Sequence, residues 1–395
     1  MEVCLMRAFN YDIPTKVYFG EGKIKHLPDL IKQFGNKVLL TYGGGSIKRN
    51  GIYDEVQDLL KECEIFELSG IDPNPRIETV REGAKICKEN DIDVILAVGG
   101  GSTIDCSKVI AAAAKYDGDA WDLVMDGSLI TDALPLVDIL TLSATGTEMN
   151  FNAVITNFDV KMKQGTASKH LYPYASILDP TYTYTVPANQ TAAGTADIMS
   201  HTFENYFQEE DNAFITDGLS ESILRATIKY LPIALEDPEN YEARSNLMWA
   251  STVALNGLTS MGKGGGWTTH PIEHYLSAYY DITHAVGLAI LTPRWMKYIL
   301  SDKTVDRFAR YANKVWDIEE TDDKFAMAEE AIEKTYRFFV DNGLPMTLPE
   351  VGIETDEHFE EMAKGPAERL SRAYVPLNPE DVVEILNRCM TEGYE

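Results

Sequence analysis

Of the chain's seven histidines, His270, His274 and His284 fall close together, and a fourth, His201, stands upstream in Asp197-Ile198-Met199-Ser200-His201. A neutral imidazole offers a lone pair to a metal ion at physiological pH. Asp197 and His201 are four residues apart, so a helix presents both from one face and they can grip one ion. Two imidazoles from the later stretch would complete a site of one carboxylate and three imidazoles. A lone Asp-x-x-x-His pair is more often a solvated helix face, and a lone buried histidine more often a packing residue. The grouping between 201 and 284, amid polar and glycine-rich sequence, favours the metal. Such a donor set suits iron(II), zinc or other late first-row ions without choosing among them.

A second chemistry lies in the glycine turns. The apolar run 94–98 passes directly into Gly99-Gly100-Gly101-Ser102 and an alanine-rich helical stretch. Glycines at a strand end let a ligand approach the backbone, and the helix that follows offers free N–H groups to a phosphate. Ser102 and Asp105 also fit a capping box, which needs no ligand; three consecutive glycines exceed what a cap requires. An earlier turn, Gly43-Gly44-Gly45-Ser46, carries no carboxylate to meet a ribose 2′-hydroxyl, and Lys48 and Arg49 follow it. That pattern favours NADP(H) over NAD(H). No Walker-type Gly-Lys-Ser/Thr is present, which argues against ATP chemistry. Thr141, Thr145, Thr147 and Lys163 supply hydroxyls and one cation beyond the strand ends, and taken alone are ordinary loop residues.

The elements that must position these groups change character midway. Expected strands at 16–19, 38–42, 65–68, 94–98, 136–142 and 182–186 alternate with helical patterns, among them 53–63, 77–89 and a first helix with Pro28 near its start and Gly35 past its end. Alternation of this kind predicts a parallel sheet covered by helices on both faces. Beyond Pro187 the apolar spacing is helical, over 192–207, 215–230, 241–258, 324–342 and 379–389. The expectation is an α/β domain over 1–187 and an all-helical domain over 188–395.

Composition bounds the partners. A 45% hydrophobic fraction and 395 residues suffice for two well-packed domains. A formal net charge of −27 argues against nucleic acid or an anionic membrane as partner. The five cysteines (Cys4, Cys63, Cys87, Cys106, Cys389) are scattered, without a Cys-x-x-Cys pair. They read as small buried apolar residues of a protein in a reducing cytoplasm. The N-terminus has no apolar run of signal-peptide length, and no segment has the length of a membrane span.

Gly99-Gly100-Gly101-Ser102-Thr103-Ile104-Asp105-Cys106-Ser107-Lys108 resembles the Gly-Gly-Gly-Ser-x-x-Asp-x-x-Lys signature of the iron-containing (group III) alcohol dehydrogenases. Leu142-Ser143-Ala144-Thr145-Gly146-Thr147-Glu148, Leu178-Asp179-Pro180, Asp197-x-x-x-His201 and His270-x-x-x-His274 through His284 are similar to its other motifs, in order, over nearly the whole chain. Tyr42-Gly43-Gly44-Gly45-Ser46 is similar to the NADPH-dependent butanol dehydrogenase or aldehyde reductase branch.

The resemblance implies a dehydroquinate synthase-like architecture: a Rossmann-like parallel-sheet domain, an all-α C-terminal domain and an active site between them. It implies Asp197, His201, His270 and His284 as ligands of one Fe(II) or Zn(II), with His274 a non-ligand near the substrate and the candidate for proton exchange. Lys163 matches the cofactor-side lysine, and the cofactor-binding set is Gly43, Gly44, Ser46, Asn74, Gly100, Gly101, Ser102, Asp105, Thr141, Thr145, Thr147 and Lys163. The implied reaction interconverts short-chain aldehydes and primary alcohols by hydride transfer to a metal-polarised carbonyl, in a homodimer. Family members often carry an acidic residue before the tryptophan, where this chain has Gly266, so the loop before His270 is expected to be positioned differently.

Two other chemistries fit parts of the sequence. His270-Pro271-Ile272-Glu273-His274 matches the His-x-x-Glu-His of inverted zinc peptidases. Pro271 biases His270 away from helical geometry, so the two histidines need not share a helix face. A dehydroquinate-synthase-like lyase would call for lysines and arginines around the active site, and 264–287 has none.

Overall fold

The all-apolar run ahead of the triple glycine becomes the central strand Val94–Gly99 (β4), buried along its length. It pairs in parallel on one side with Lys37–Tyr42 (β2) and on the other with Leu136–Leu140 (β5). Glu64–Leu68 (β3) extends the sheet beyond β2, while Ala175–Leu178 (β8) and then Lys16–Phe19 (β1) extend it beyond β5. All six strands are parallel, in the order β1-β8-β5-β4-β2-β3. In this computed structural model residues 6–209 and 212–394 are described; Cys4, expected to be buried, lies outside them.

Period-two burial explains the layers. Leu39, Ile95 and Ala97 point into one core, shared with the helices Ile77–Asn90 (α4) and Gly101–Ala113 (α5). Val38, Leu40, Val94 and Leu96 point into the other, shared with Leu27–Lys32 (α1) and Ile52–Leu59 (α3). A parallel sheet buried on both faces needs this continuous hydrophobicity. Between α1 and α3 the one-turn helix Ser46–Arg49 (α2) follows the first glycine turn, and Ala120–Met125 (α6) follows α5.

The chain divides into two compact units, Asp12–Pro187 with Asp237–Asn256, and Met1–Tyr11 with Ala188–Glu236 and Gly257–Glu395. A single cut at 187 therefore misses two exchanged segments. Helix Tyr241–Leu255 (α9) goes with the sheet because Met248 enters its core, Thr252 hydroxyl donates to the buried Glu148, and Trp249 meets the Phe19 ring edge-on at 5.8 Å. The helical unit comprises Ala188–Tyr206 (α7), Phe214–Glu236 (α8), Thr269–Tyr280 (α10), His284–Ile299 (α11), Val305–Trp316 (α12), Lys324–Asp341 (α13), Phe359–Lys364 (α14), Ala367–Leu370 (α15) and Pro379–Arg388 (α16). Its core is aromatic, with Phe203, Phe207, Trp295, Phe308 and Tyr311 at 2% exposure or less.

Several expectations are corrected. The strand expected at 182–186 is a 3-10 turn over Pro180–Thr183: Asp179 carboxylate accepts from Thr181 N–H at 3.0 Å and Pro180 fixes the backbone, so local capping overrides the β-propensity of Tyr and Thr. The last sheet strand is β8. A hairpin, Asn152–Asn157 (β6) and Met162–Ala167 (β7), has no counterpart in the expected elements; its antiparallel pair forms a separate two-stranded sheet. Helices α10, α11 and α12 were likewise not expected. Cys87, Cys106 and Cys389 are buried and Cys63 only half-buried, none of the four in a disulfide.

Candidate functional site

Helix α7 holds Asp197 and His201 one turn apart, both buried. Helix α10 carries His270 in its first turn, and His284 is the first residue of α11. The three elements converge on one atom. Asp197 Oδ1 lies 3.7 Å from His201 Nδ1, 3.9 Å from His270 Nε2 and 4.0 Å from His284 Nε2. Ligands about 2.1 Å from a shared ion stand roughly 3–4 Å from one another, so the separations suit a single cation.

Two of these nitrogens, His201 Nδ1 and His270 Nε2, are buried without a hydrogen-bond partner among the described residues. A buried polar atom left so is costly, and a metal ion answers the need. Burial, reinforced by the neighbouring His270 and His284, holds the His201 imidazole well below its ordinary pKa, in the neutral form that ligation requires.

Of two carboxylates behind the cluster, Glu204 was missed in the sequence and Glu273 was singled out only as part of the peptidase motif. Glu204, 2% exposed, accepts from the backbone N–H of Thr268 at 2.7 Å and of His270 at 3.0 Å, and from Thr269 hydroxyl at 2.8 Å. It thereby caps α10, whose own N-cap side chain makes no such bond. Its Oε1 also lies 3.2 Å from His270 Nδ1. A carboxylate can only accept, so Nδ1 carries the proton and the Nε2 lone pair faces Asp197. Glu273 does the same for His284, contacting Nδ1 through one oxygen while the other accepts from Ser277 hydroxyl at 2.5 Å. A signal for Glu204 existed: Asp197, His201 and Glu204 stand at i, i+4 and i+7 of one helix.

Pro271 does not keep His270 out of the helix. It occupies the first turn of α10, where a missing N–H removes no helical bond, so His270 and His274 do share a helix. The peptidase geometry still fails, because Glu273, which would have to serve as base, is buried against His284 and Ser277. His274 stands beside the cluster, its ring centre 5.5 Å from that of His284. Glu273, His274 and His284 also place one donor atom each within 4.8 Å of one another. Gly266 has its own reason: a Cβ there would sit 2.9 Å from Arg369 carbonyl oxygen, and its N–H bonds to Arg372. That close backbone pairing fixes the loop leading to Trp267.

The sheet unit carries the glycine turns. From β2 the chain crosses to β3 on one side and returns to β4 on the other, so the carboxyl ends of β2 and β4 flank the point where strand order reverses. Open α/β sheets bind dinucleotides in such a crevice. A Cβ on Gly43 would lie 3.9 Å from Thr103 hydroxyl, which makes the two turns neighbours. Gly101 has no room for a Cβ beside Thr145, whereas a Cβ on Gly44 would meet no other residue within 4 Å beyond its chain neighbours.

The capping box that Ser102 and Asp105 could also have formed is absent from α5. Gly100 occupies the cap position with no side-chain bond; Ser102 hydroxyl donates to Pro73 carbonyl, and Asp105 accepts from Thr147 hydroxyl at 2.5 Å and Val154 N–H at 2.9 Å. Asp105 and Thr147 thus tie α5 to the hairpin. They do so with Lys108, whose buried ammonium donates to Thr147 hydroxyl, to Asn150 and to Asn152 carbonyl. Burial lowers the Lys108 pKa to about 8 against the pull of Asp105, Asp138 and Glu148. Thr141 N–H bonds to Gly99 carbonyl at 3.0 Å. Lys163 and Asn74, far apart in sequence, are joined by a 3.0 Å hydrogen bond and both buried. Ser46 is exposed at the start of α2.

Residues 14–180 match the family model of iron-containing alcohol dehydrogenase, and 191–390 that of the Fe-containing alcohol dehydrogenase family, C-terminal. The chain is 56% identical to NADH-dependent butanol dehydrogenase A of Clostridium acetobutylicum, over 97% of this chain and 100% of that one. It is 41% identical to the NADPH-dependent aldehyde reductase YqhD of Escherichia coli, over 88% and 90% respectively. The crystal structure of NADH-dependent butanol dehydrogenase A from Thermotoga maritima superposes with a TM-score of 0.93 at 41% identity, covering 98% of this chain and 100% of that one. None of these supports a hydrolase or a lyase. The chain belongs to the iron-containing alcohol dehydrogenase family, and is a metal-dependent oxidoreductase of alcohols and aldehydes that works with a nicotinamide cofactor.

Proposed function

We propose that Asp197, His201, His270 and His284 hold one divalent ion, Fe(II) or Zn(II), and that the enzyme interconverts short-chain aldehydes and primary alcohols. The convergence of three imidazole nitrogens on Asp197 Oδ1, each within 4.0 Å, carries this reading. When bound, the ion polarises a carbonyl oxygen and the nicotinamide supplies or accepts the hydride. The chain's own contributions are orientation and proton handling. Glu204 and Glu273 keep the Nδ1 protons of His270 and His284 in place, so the lone pairs stay aimed. His274, half-buried beside His284, is the group for exchanging the alcohol proton with solvent.

For the cofactor, Gly100, Gly101 and Ser102 at the start of α5 receive the pyrophosphate, and Gly43, Gly44 and Ser46 the adenosine ribose. The strand beside the pyrophosphate strand is the one whose end meets that ribose in doubly wound sheets. Asn74, Thr141, Thr145 and Lys163 line the remainder, with Asp105 and Thr147 holding the hairpin behind them. NADP(H) is preferred over NAD(H), supported by the lack of a carboxylate between Gly43 and Arg49 and by the nearby Lys48. The naming of several relatives as NADH-dependent weighs toward a small margin. Among the described residues no helix is long and apolar enough to cross a membrane. Cytoplasmic residence is supported by the unbridged cysteines, and a homodimer by family resemblance alone.

Elemental analysis paired with an aldehyde panel against NADPH and NADH tests the reading. One equivalent of iron or zinc and oxidation of NADPH by a short aldehyde are expected; no turnover with either cofactor would defeat it. His274→Ala separates ligand from proton carrier: retained metal with kcat down about a hundredfold fits the proposal, while lost metal would move His274 into the ligand set.

A further inference from the structure

Beside the first glycine turn, Lys48 belongs to a cluster whose other members, Tyr42, Tyr53 and Glu67, have no part in the proposed function. Lys48 is in the single turn of α2 that follows Gly45, Tyr42 ends β2, Tyr53 lies in α3, and Glu67 is near the carboxyl end of β3, paired with Leu40 across the sheet. The Tyr42 and Tyr53 phenols donate to the two oxygens of Glu67 at 2.6 and 2.5 Å. Lys48 Nζ lies 3.6 Å from Glu67 Oε2, with the Tyr53 and Tyr42 ring centres at 4.4 and 5.1 Å. Glu67 is thus the hub: it fixes both rings, and the rings and carboxylate together hold the ammonium. Burial works to raise the Glu67 carboxyl, yet the two phenols and Lys48 leave it below its ordinary value, so it is a charged partner at neutral pH.

This bears on cofactor choice. Lys48 is the cation nearest in sequence to the turn, and a 2′-phosphate would need it there. Its charge is already half-answered by a carboxylate from the neighbouring strand. The sequence offers a site for the phosphate; the fold supplies a competitor for its counter-ion.

We propose that Glu67 is a positioning residue for cofactor specificity: by holding Lys48 against Tyr42 and Tyr53 it weakens recognition of the 2′-phosphate and lets the chain accept both nicotinamide cofactors. The inference rests on the ribose end of the cofactor lying at Gly43–Ser46. Glu67→Gln keeps the shape and an acceptor for one phenol while removing the charge that binds Lys48. The Kd for NADPH, read by fluorescence titration, and its KM are expected to fall about three- to tenfold, the range of one partly exposed ion pair, with Kd and KM for NADH and kcat with either cofactor nearly constant. Lys48→Ala should raise KM for NADPH, and Glu67→Gln should have no further effect in that background.

An unchanged NADPH-to-NADH ratio in Glu67→Gln, alongside a raised NADPH KM in Lys48→Ala, would overturn the role of Glu67 and leave the cofactor placement standing. No change in either variant would overturn both. A Glu67→Gln shift that persists without Lys48 would show that the carboxylate acts on the phosphate directly, and would overturn the positioning role.

Discussion

The crevice of the sheet unit and the cluster of the helical unit are built from different materials. At β2 and β4 the surface proposed to face a ligand is backbone: short glycine runs that continue their strands, with an open approach at Gly44 and a tight one at Gly101. At α7, α10 and α11 it is side chains, four of them from three helices, aimed by Glu204 and Glu273 behind. A backbone surface is specified by a few consecutive residues and tolerates distant change. A side-chain cluster depends on every element that carries a donor and on the carboxylates that fix each tautomer.

Substitutions at four positions would break or sharpen that contrast. The largest effect belongs to Asp197→Ala and His284→Ala. Each should lose the metal and about a thousandfold or more in kcat/KM, the several kcal/mol that a bound cation supplies to a developing alkoxide. Dinucleotide affinity, read by fluorescence titration, should stay within about twofold, as for independent sites. Stoichiometric metal in both variants would show that Asp197 Oδ1 is not the centre of the site.

Glu204→Ala comes next. It touches no ion in this reading, yet metal affinity should drop about 10- to 100-fold, the usual effect of removing a carboxylate behind a ligating histidine. Orphaned N–H groups at Thr268 and His270 should cost about 1–3 kcal/mol of stability. Glu204→Gln restores an acceptor for those N–H groups but not a partner that forbids the other tautomer, so it should recover stability more than metal affinity. Equal recovery of both would reduce Glu204 to a helix cap.

The smallest effect is expected in the crevice. Gly44→Asp places a carboxylate where there is open space, so folding and metal content should be unchanged while KM for NADPH rises about tenfold, the scale of one like-charge encounter near a surface. Any loss of metal in this variant would mean that the two regions are not independent.

Legibility followed the same division. The strands beneath the glycine turns were readable because a doubly buried parallel strand must be continuously apolar, as 94–98 is. The hairpin β6–β7 was not: Asn152–Asn157 and Met162–Ala167 mix polar and small residues, and β6 is anchored by Asp105 and Lys108, more than 40 positions upstream. Strand 182–186 was misread because Asp179 and Pro180 impose a turn on residues that favour strands elsewhere. In the helical unit Asp197 and His201 were legible as one face of one helix. Their companionship with His270 and His284 came from resemblance, since spacing alone left open which later imidazoles join them.

By itself the sequence determined the sheet's buried strands, the two glycine turns, the scarcity and grouping of histidines, and a strongly acidic balance of charge, because each is a property of neighbouring residues or of composition. Only the tertiary structure decided that Pro271 begins a helix rather than ending one, that Glu204 and Glu273 fix the imidazole protons, and that Glu67 reaches Lys48. Those outcomes depend on atoms brought within about 3 Å by packing, and no one-dimensional spacing encodes which carboxylate will stand behind which ring.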